Sequence, residues 1–271
     1  MSDLPAWGPE IPASVFVQQS RELGLPHLEA GRPGYLSAPR GTHVVAGQVC
    51  AVLHDPEIRH LELPALDLEA RRLHRMGAET LILSVLCART PGGDKDLDPQ
   101  GWALLLHSVG VAESIARRHL MRLAIHPQFG GILESAEAIE QILVHTTAGF
   151  CLDVGQLALL GIDPVDFAET CADRITHVHL KDVDALIAGR LRARQIGLRE
   201  AVLEGVFRPP GEGSQRIDDL LRVLRRRNYR GWYVIEQESI LGEGEEAAEE
   251  PAQNARRALL YLRGQGLACP A

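Results

Sequence analysis

The chain has 271 residues, close to the roughly 250 of a closed α/β barrel, and 45% of them are hydrophobic, enough for a large core. The formal net charge of −8 argues against long-range attraction to nucleic acid or to an anionic membrane surface. The five cysteines, Cys50, Cys87, Cys151, Cys171 and Cys269, form no C-x-x-C pair, which fits a reducing compartment better than a disulfide framework.

In chain order, the N-terminal segment has neither a basic stretch nor an apolar one, so a cytoplasmic location is expected. A first strand is expected near Leu4–Trp7, as a stub interrupted by Pro5. An amphipathic helix follows over Ala13–Leu23, then strands over Pro26–Ala30 and Val44–Leu53. The segment between these strands, Gly31–Thr42, is too rich in Gly and Pro for a full helix. Next come a helix over Pro64–Met76, a strand over Leu81–Leu86, and a long helix over Asp98–His119 with Asp98 as N-cap and Pro99 at its first position. Strands over Met121–Ile125 and Gly149–Leu152 flank a helix over Ser135–His145. A helix over Asp163–Ala172 precedes the strand Ile175–Leu180. A helical insertion, Asp184–Gly205, follows that strand. A helix over Ser214–Arg227, the strand Trp232–Ile235 and a helix over Glu245–Arg263 complete the chain. Its run Arg225-Arg226-Arg227 reads as a solvated helix face.

Short apolar strands alternating with helices indicate βα units around a buried parallel sheet. The expectation is one (β/α)8 TIM barrel domain over residues 1–271, with a shortened N-terminal strand and second helix. No internal repeat, linker or apolar run of membrane-spanning length interrupts it.

In such a barrel, polar residues at strand C-termini line the active site. Here they are Glu29, His54, His126 with Glu134 a little beyond, Asp153, His177 and His179 running into Lys181 and Asp182, and Glu236. Oxygen and imidazole donors of this kind suit Mn, Mg, Co or Zn. His177 and His179 share one face of their strand, with Val178 on the other. Each residue also has a plain reading. Asp153 alone is equally a helix N-cap, Glu29 a solvated loop residue, His54 a satisfied loop histidine, and His126 before Pro127 a turn residue. The conjunction of Asp153, His179 and Glu236 at the ends of consecutive strands favours a metal centre.

The phrases His126-Pro-Gln-Phe-Gly-Gly, Cys151-Leu-Asp-Val-Gly-Gln, Arg174-Ile-Thr-His-Val-His-Leu-Lys-Asp-Val and Gly231-Trp-Tyr-Val-Ile-Glu-Gln resemble the xylose-isomerase-like barrel superfamily, most closely its inosose dehydratase branch. The resemblance runs from about residue 5 to about residue 264. It implies one divalent metal ion held by Asp153, His179, Glu236 and, as the fourth ligand, Glu134. It also implies a sugar or cyclitol substrate contacted by Glu29, His54, His126, Gln156 and Lys181, with Glu134, Glu236 and Lys181 as catalytic groups. Gln156 stands where the family's Asp-x-Gly-His motif has a histidine, and an amide is no general acid or base near neutral pH. A metal-dependent lyase, isomerase or epimerase is therefore the leading expectation. A degenerate barrel acting as a binding protein is the alternative, and an apurinic-endonuclease-type phosphodiesterase stands behind both. Barrels of this kind often form dimers or tetramers.

Overall fold

The structure is a computed structural model that describes residues 10–31, 33–36, 42–87, 97–241 and 249–267. The strands in chain order are β1 (His27–Glu29), β2 (His43–Ala51), β3 (Thr80–Val85), β4 (Arg122–Ile125), β5 (Gly149–Asp153), β6 (Ile175–Leu180), β7 (Asp182–Val183), β8 (Phe207–Arg208) and β9 (Tyr233–Ile235). Seven of them form one parallel sheet in the order β1-β2-β3-β4-β5-β6-β9, while β7 and β8 pair antiparallel outside it. The sheet curls until its edges meet: the rings of His27, on β1, and Trp232, just before β9, lie 4.7 Å apart. This is the expected TIM barrel, nearly closed by the seven described strands. The stub strand expected near Leu4–Trp7, and residues 32 and 37–41 of the segment Gly31–Thr42, lie outside the described residues.

The helices are α1 (Ala13–Glu22), α2 (Arg59–Arg75), α3 (Pro99–Arg118), α4 (Ala136–His145), α5 (Val154–Leu160), α6 (Pro164–Cys171), α7 (Ala185–Arg192), α8 (Leu198–Leu203), α9 (Ile217–Arg226) and α10 (Glu249–Gly264). Three of them start where their caps dictate. Asp98 accepts from Gly101 N at 2.7 Å, Ser135 from Ala138 N at 3.2 Å, and Asp163 from Val165 N at 2.8 Å. No helix among the described residues is long and apolar enough to cross a membrane.

Two expectations are corrected. The helix expected to begin at Pro64 begins at Arg59, because the Asp55 carbonyl accepts from Arg59 N at 2.9 Å and its side chain from Glu57 N at 2.8 Å, winding a turn ahead of the proline. Helix α5 was not foreseen. Val154 to Leu159 are all buried, so the segment has no polar face and no helical period to read. The insertion Asp184–Gly205 is helical as expected, made of α7 and α8, and the β7–β8 ribbon brackets it on either side.

Side chains alternate across each strand, and this alternation sorts the core into two compartments. Leu81, Leu83, Ile125, Phe150, Leu152, Val178 and Leu180 face outward, beneath the helices, in the main hydrophobic cluster. Ala46, Ile82, Ala124 and Cys151 face inward and pack with Trp232 in a small separate cluster. Two residues further along the same strands come Gln48, Ser84, His126 and Asp153, all buried. The barrel interior therefore changes from apolar to polar toward the C-terminal ends of the strands.

Candidate metal centre

Seven parallel strands deliver their polar residues to one point. Glu29 closes β1, Gln48 and Ser84 lie within β2 and β3, and His126 follows β4. Asp153 closes β5, His177 and His179 lie on β6 with Lys181 just beyond, and Glu236 and Glu238 follow β9. His177 and His179 are both fully buried and both inward, as their two-residue spacing requires, while Val178 packs in the outer core.

The centre of the cluster is Asp153 Oδ2. It lies 3.1 Å from His126 Nε2, 3.2 Å from His179 Nδ1 and 3.0 Å from Lys181 Nζ. His179 Nδ1 is also 3.1 Å from Glu236 Oε2, and Lys181 Nζ donates to Glu236 Oε2 at 2.7 Å and Glu238 Oε1 at 2.6 Å. Asp153, His179 and Glu236 thus offer two carboxylate oxygens and an imidazole nitrogen within 4.8 Å of one another. The other oxygen of Asp153 accepts from Gln156 N at 2.8 Å and caps α5. Asp153 is therefore the helix N-cap of its plain reading, and its other oxygen is among those that could hold a metal ion.

Charge makes this arrangement unusual for a core. The carboxylates of Asp153, Glu236 and Glu238 surround a single ammonium, and all are buried. Burial opposes every one of these charges, yet Lys181 and the neighbouring imidazoles hold the Asp153 and Glu236 carboxyls below their usual range. Burial likewise works against the Lys181 charge, but Asp153, Glu236 and Glu238 overcome it and raise the ammonium well above its ordinary value. His179 is raised in the same way, against burial, by the anionic groups around it. Glu236 Oε1 is buried without a hydrogen-bond partner among the described residues. An unsatisfied carboxylate oxygen in an acid-rich, nitrogen- and oxygen-lined pocket fits a divalent cation.

His126 has its orientation assigned by its outer neighbours. Gln48 Nε2 donates to Ser84 Oγ at 3.0 Å, and Ser84 Oγ lies 2.9 Å from His126 Nδ1. With the serine proton directed at Nδ1, the His126 proton sits on Nε2 and points at Asp153. Lys181 is positioned by packing. A Cβ on Gly155 would lie 2.7 Å from Lys181 Cγ and 2.8 Å from its Cε, so only glycine lets the lysine stem cross α5. Phe207, from β8, lies under Nζ with its ring centre 5.0 Å away, so the insertion after β6 walls the site on that side.

The remaining residues expected at the site are distributed as follows. Glu134, half-buried, accepts from Gly130 N at 2.9 Å in the loop after β4 and belongs to none of the donor clusters found among the described residues. His54 lies half-buried past β2, its imidazole pushed down by burial, and is likewise in none of them. The Gln156 amide accepts from Phe129 N at 3.0 Å and donates to Glu238 Oε1 at 3.4 Å, tying the loop after β4 to the segment after β9. Asp182, next to Lys181, faces away from the cluster. It accepts from Val183 N, Gln215 N and Gly211 N at 2.8, 2.9 and 3.0 Å, and a Cβ on Gly213 would lie 2.3 Å from its Oδ1. Sequence reasoning did not find Gln48, Ser84 or Glu238. The signal available was spacing: Glu236 and Glu238 are two apart, like His177 and His179, and Gln48 and Ser84 are polar interruptions of apolar strands.

Comparison with known proteins agrees with this fold. Residues 39–264 match the family described as xylose isomerase-like TIM barrel. An inosose dehydratase from Geobacillus kaustophilus is 28% identical over 285 residues, covering 96% of this chain and 89% of its own length. One from Clostridium botulinum is 28% identical over 177 residues, covering 61% of this chain and 59% of the relative. The crystal structure of the IolI protein with a bound zinc atom superposes with a TM-score of 0.71 at 12% identity, covering 94% of each chain. The chain belongs to the xylose isomerase-like TIM barrel family.

Proposed function

We propose that this chain is a divalent-metal-dependent lyase, isomerase or epimerase acting on a keto-sugar or cyclitol, with dehydration of an inosose as the leading reaction, and that residues 1–271 act as one barrel domain. The observation that carries this reading is the buried cluster of Asp153, His179 and Glu236 beside Lys181. The similarity to inosose dehydratases over nearly the whole chain supports it and directs the choice of substrate.

In this reading Asp153, His179 and Glu236 hold the cation, and Glu134 offers a further carboxylate once it releases the Gly130 N–H. When bound, a divalent cation supplies Lewis acidity beside a ketone, which eases proton loss from the neighbouring carbon. Glu236 has one oxygen unpaired and is the group to accept that proton. Lys181 holds its proton at neutral pH and points it into the acidic cluster. Held by Glu236 and Glu238, Nζ is the group whose proton would pass to a departing hydroxyl. Loss of that hydroxyl as water gives a dehydratase. Return of the proton to the second carbon gives an isomerase, and to the opposite face an epimerase. His54, His126 and Gln156 remain the proposed hydroxyl contacts, whereas Glu29 is turned to the two β6 histidines; the metal is Mn, Co, Mg or Zn.

The non-catalytic alternative rests on Gln156 and on the shortened N-terminal strand, which lies outside the described residues. The Gln156 amide bridges Phe129 N and Glu238, a task that needs no ionisable group, so this residue does not weigh against catalysis. The test is metal content by plasma mass spectrometry for the native protein, Asp153→Ala and Glu236→Ala, followed by mass analysis of an inosose incubated with Mn-loaded protein. About one equivalent of metal, lost in both variants, together with a product lighter by one water, is the expected outcome. A native protein that takes up no metal after incubation with Mn and Co would overturn the reading.

A further inference from the structure

Glu29 lies at the opposite edge of the sheet from β6, 148 residues before His177 in the chain, yet one of its oxygens touches both β6 histidines. Oε1 is 2.5 Å from His177 Nε2 and 2.8 Å from His179 Nε2. A carboxylic acid proton on that oxygen could serve only one of the two nitrogens. A carboxylate accepting from two N–H groups satisfies both. The protons of both imidazoles are therefore on Nε2, directed at Glu29.

For His179 this has a consequence at the other ring nitrogen. Nδ1 faces Asp153 Oδ2 at 3.2 Å and Glu236 Oε2 at 3.1 Å, two acceptors that cannot donate to it. With Nε2–H committed to Glu29, Nδ1 is the atom whose lone pair turns toward a cation shared with those two oxygens. A histidine ligand is commonly oriented by a carboxylate on its other nitrogen, and loss of such a partner weakens metal binding.

His177 completes the device. Its ring is fully buried, and its Nδ1 has no hydrogen-bond partner among the described residues. A buried polar atom left unpaired is costly. What the ring achieves in return is the short bond to Glu29, and its plane stands edge-on to that of His179, with centroids 5.3 Å apart. It braces the carboxylate through that bond.

We propose that Glu29, braced by His177, is a positioning residue that fixes the Nε2–H tautomer of His179 and so presents Nδ1 to the metal. The inference rests on the metal reading of the cluster given above, and it assigns Glu29 a role away from the substrate.

The test uses zinc as the probe, on the full chain. Zinc affinity is measured by chelator competition for the native protein, Glu29→Gln, Glu29→Leu and Asp153→Ala. The His179 tautomer in the zinc-loaded protein is read from long-range proton–nitrogen correlation spectra. The native protein is expected to show His179 with a proton on Nε2. Glu29→Leu is expected to bind zinc about 10–100-fold more weakly, with the Nε2–H signature lost. Glu29→Gln keeps an acceptor oxygen without the charge and should fall between. Thermal unfolding without metal identifies any variant that fails to fold, and Glu29→Gln carries the test if Glu29→Leu does so. A purely structural role would shift the unfolding temperature and leave tautomer and zinc affinity unchanged, which would overturn the proposal. Native protein that binds zinc while both Glu29 variants match it would leave the metal centre standing and remove Glu29 from it. Native protein that binds no zinc, alongside Asp153→Ala, would overturn both.

Discussion

Lys181 shows how a single side chain can carry opposing duties. Three buried carboxylates surround its Nζ at 2.6 to 3.0 Å, so removing the charge strands them in the core. Breaking a buried ion pair on one side typically costs about 3–5 kcal/mol. Lys181→Met should therefore lower the urea stability of the metal-free protein by about that much, and added Mn should restore part of it. Turnover should not recover, because the proton donor is gone; a variant with native activity on an inosose would remove Lys181 from the chemistry. Gly155→Ala gives a gentler version. Its methyl would occupy the path of the lysine stem, so we expect a stable, folded protein with turnover reduced about tenfold or more. The comparison of kcat with zinc affinity separates the two: zinc should bind Gly155→Ala as it binds the native chain.

Single elements are held by interactions that were visible locally. Asp163 caps α6 and pairs with Arg216 at 2.7 Å. Asp163→Ala should cost about 1 kcal/mol in thermal or urea unfolding. Partial burial opposes the Asp163 charge, but the Arg216 bond and the two capping N–H groups lower its carboxyl from the ordinary value. A carboxyl that is lower in the folded than in the unfolded chain stabilises fully above the unfolded value and loses that contribution as the pH falls through the folded one. The stability gap between native protein and Asp163→Ala should thus be constant near neutrality and narrow below about pH 4. A gap that widened in acid would contradict this account. On the outer face of the barrel, Phe150 is fully buried and meets Phe167 of α6 edge-on with centroids 5.7 Å apart. Phe150→Ala should cost about 3–5 kcal/mol, well beyond any cap, because the cavity lies between sheet and helix layer and neither can collapse into it.

At the scale of the whole molecule, the division of labour follows from the pleat. Outward side chains glue helices to the sheet, and inward ones stack in layers that end in the polar cluster at the strand C-termini. The insertion after β6 adds a second small core, in which Val183, Ala188, Leu191, Ala201 and Val206 pack with Leu159 of α5. It stands against α5 and sets Phe207 beside Lys181, so it forms one wall of the site rather than an independent appendage. Metal binding should be felt by the entire barrel, since the proposed ligands come from three strands. A ligand at 100 times its dissociation constant adds about 2.7 kcal/mol to the folded state. Saturating zinc should therefore raise the unfolding temperature of the native protein and leave that of Asp153→Ala unchanged.

The alternation of apolar strands with capped helices was readable directly, because strand burial, Asp and Ser caps and Pro at the first helical turn are properties of neighbours in the chain. So was the grouping of Asp153, His179 and Glu236, since a parallel barrel brings successive strand ends together whatever the details of packing. Helix α5 was not readable, because burial on every side erases the period that marks a helix. The partners of the cluster were not readable either. Glu29 meets His177 only because the curled sheet brings β1 across from β6, and Gln48 and Ser84 meet His126 across three strands from positions that read as flaws in apolar runs. Glu134 and Glu29 look alike as carboxylates after strands. Strand register and the closure of the barrel decided that Glu29 touches the histidines while Glu134 caps a loop, for those are long-range packing outcomes that no local pattern encodes.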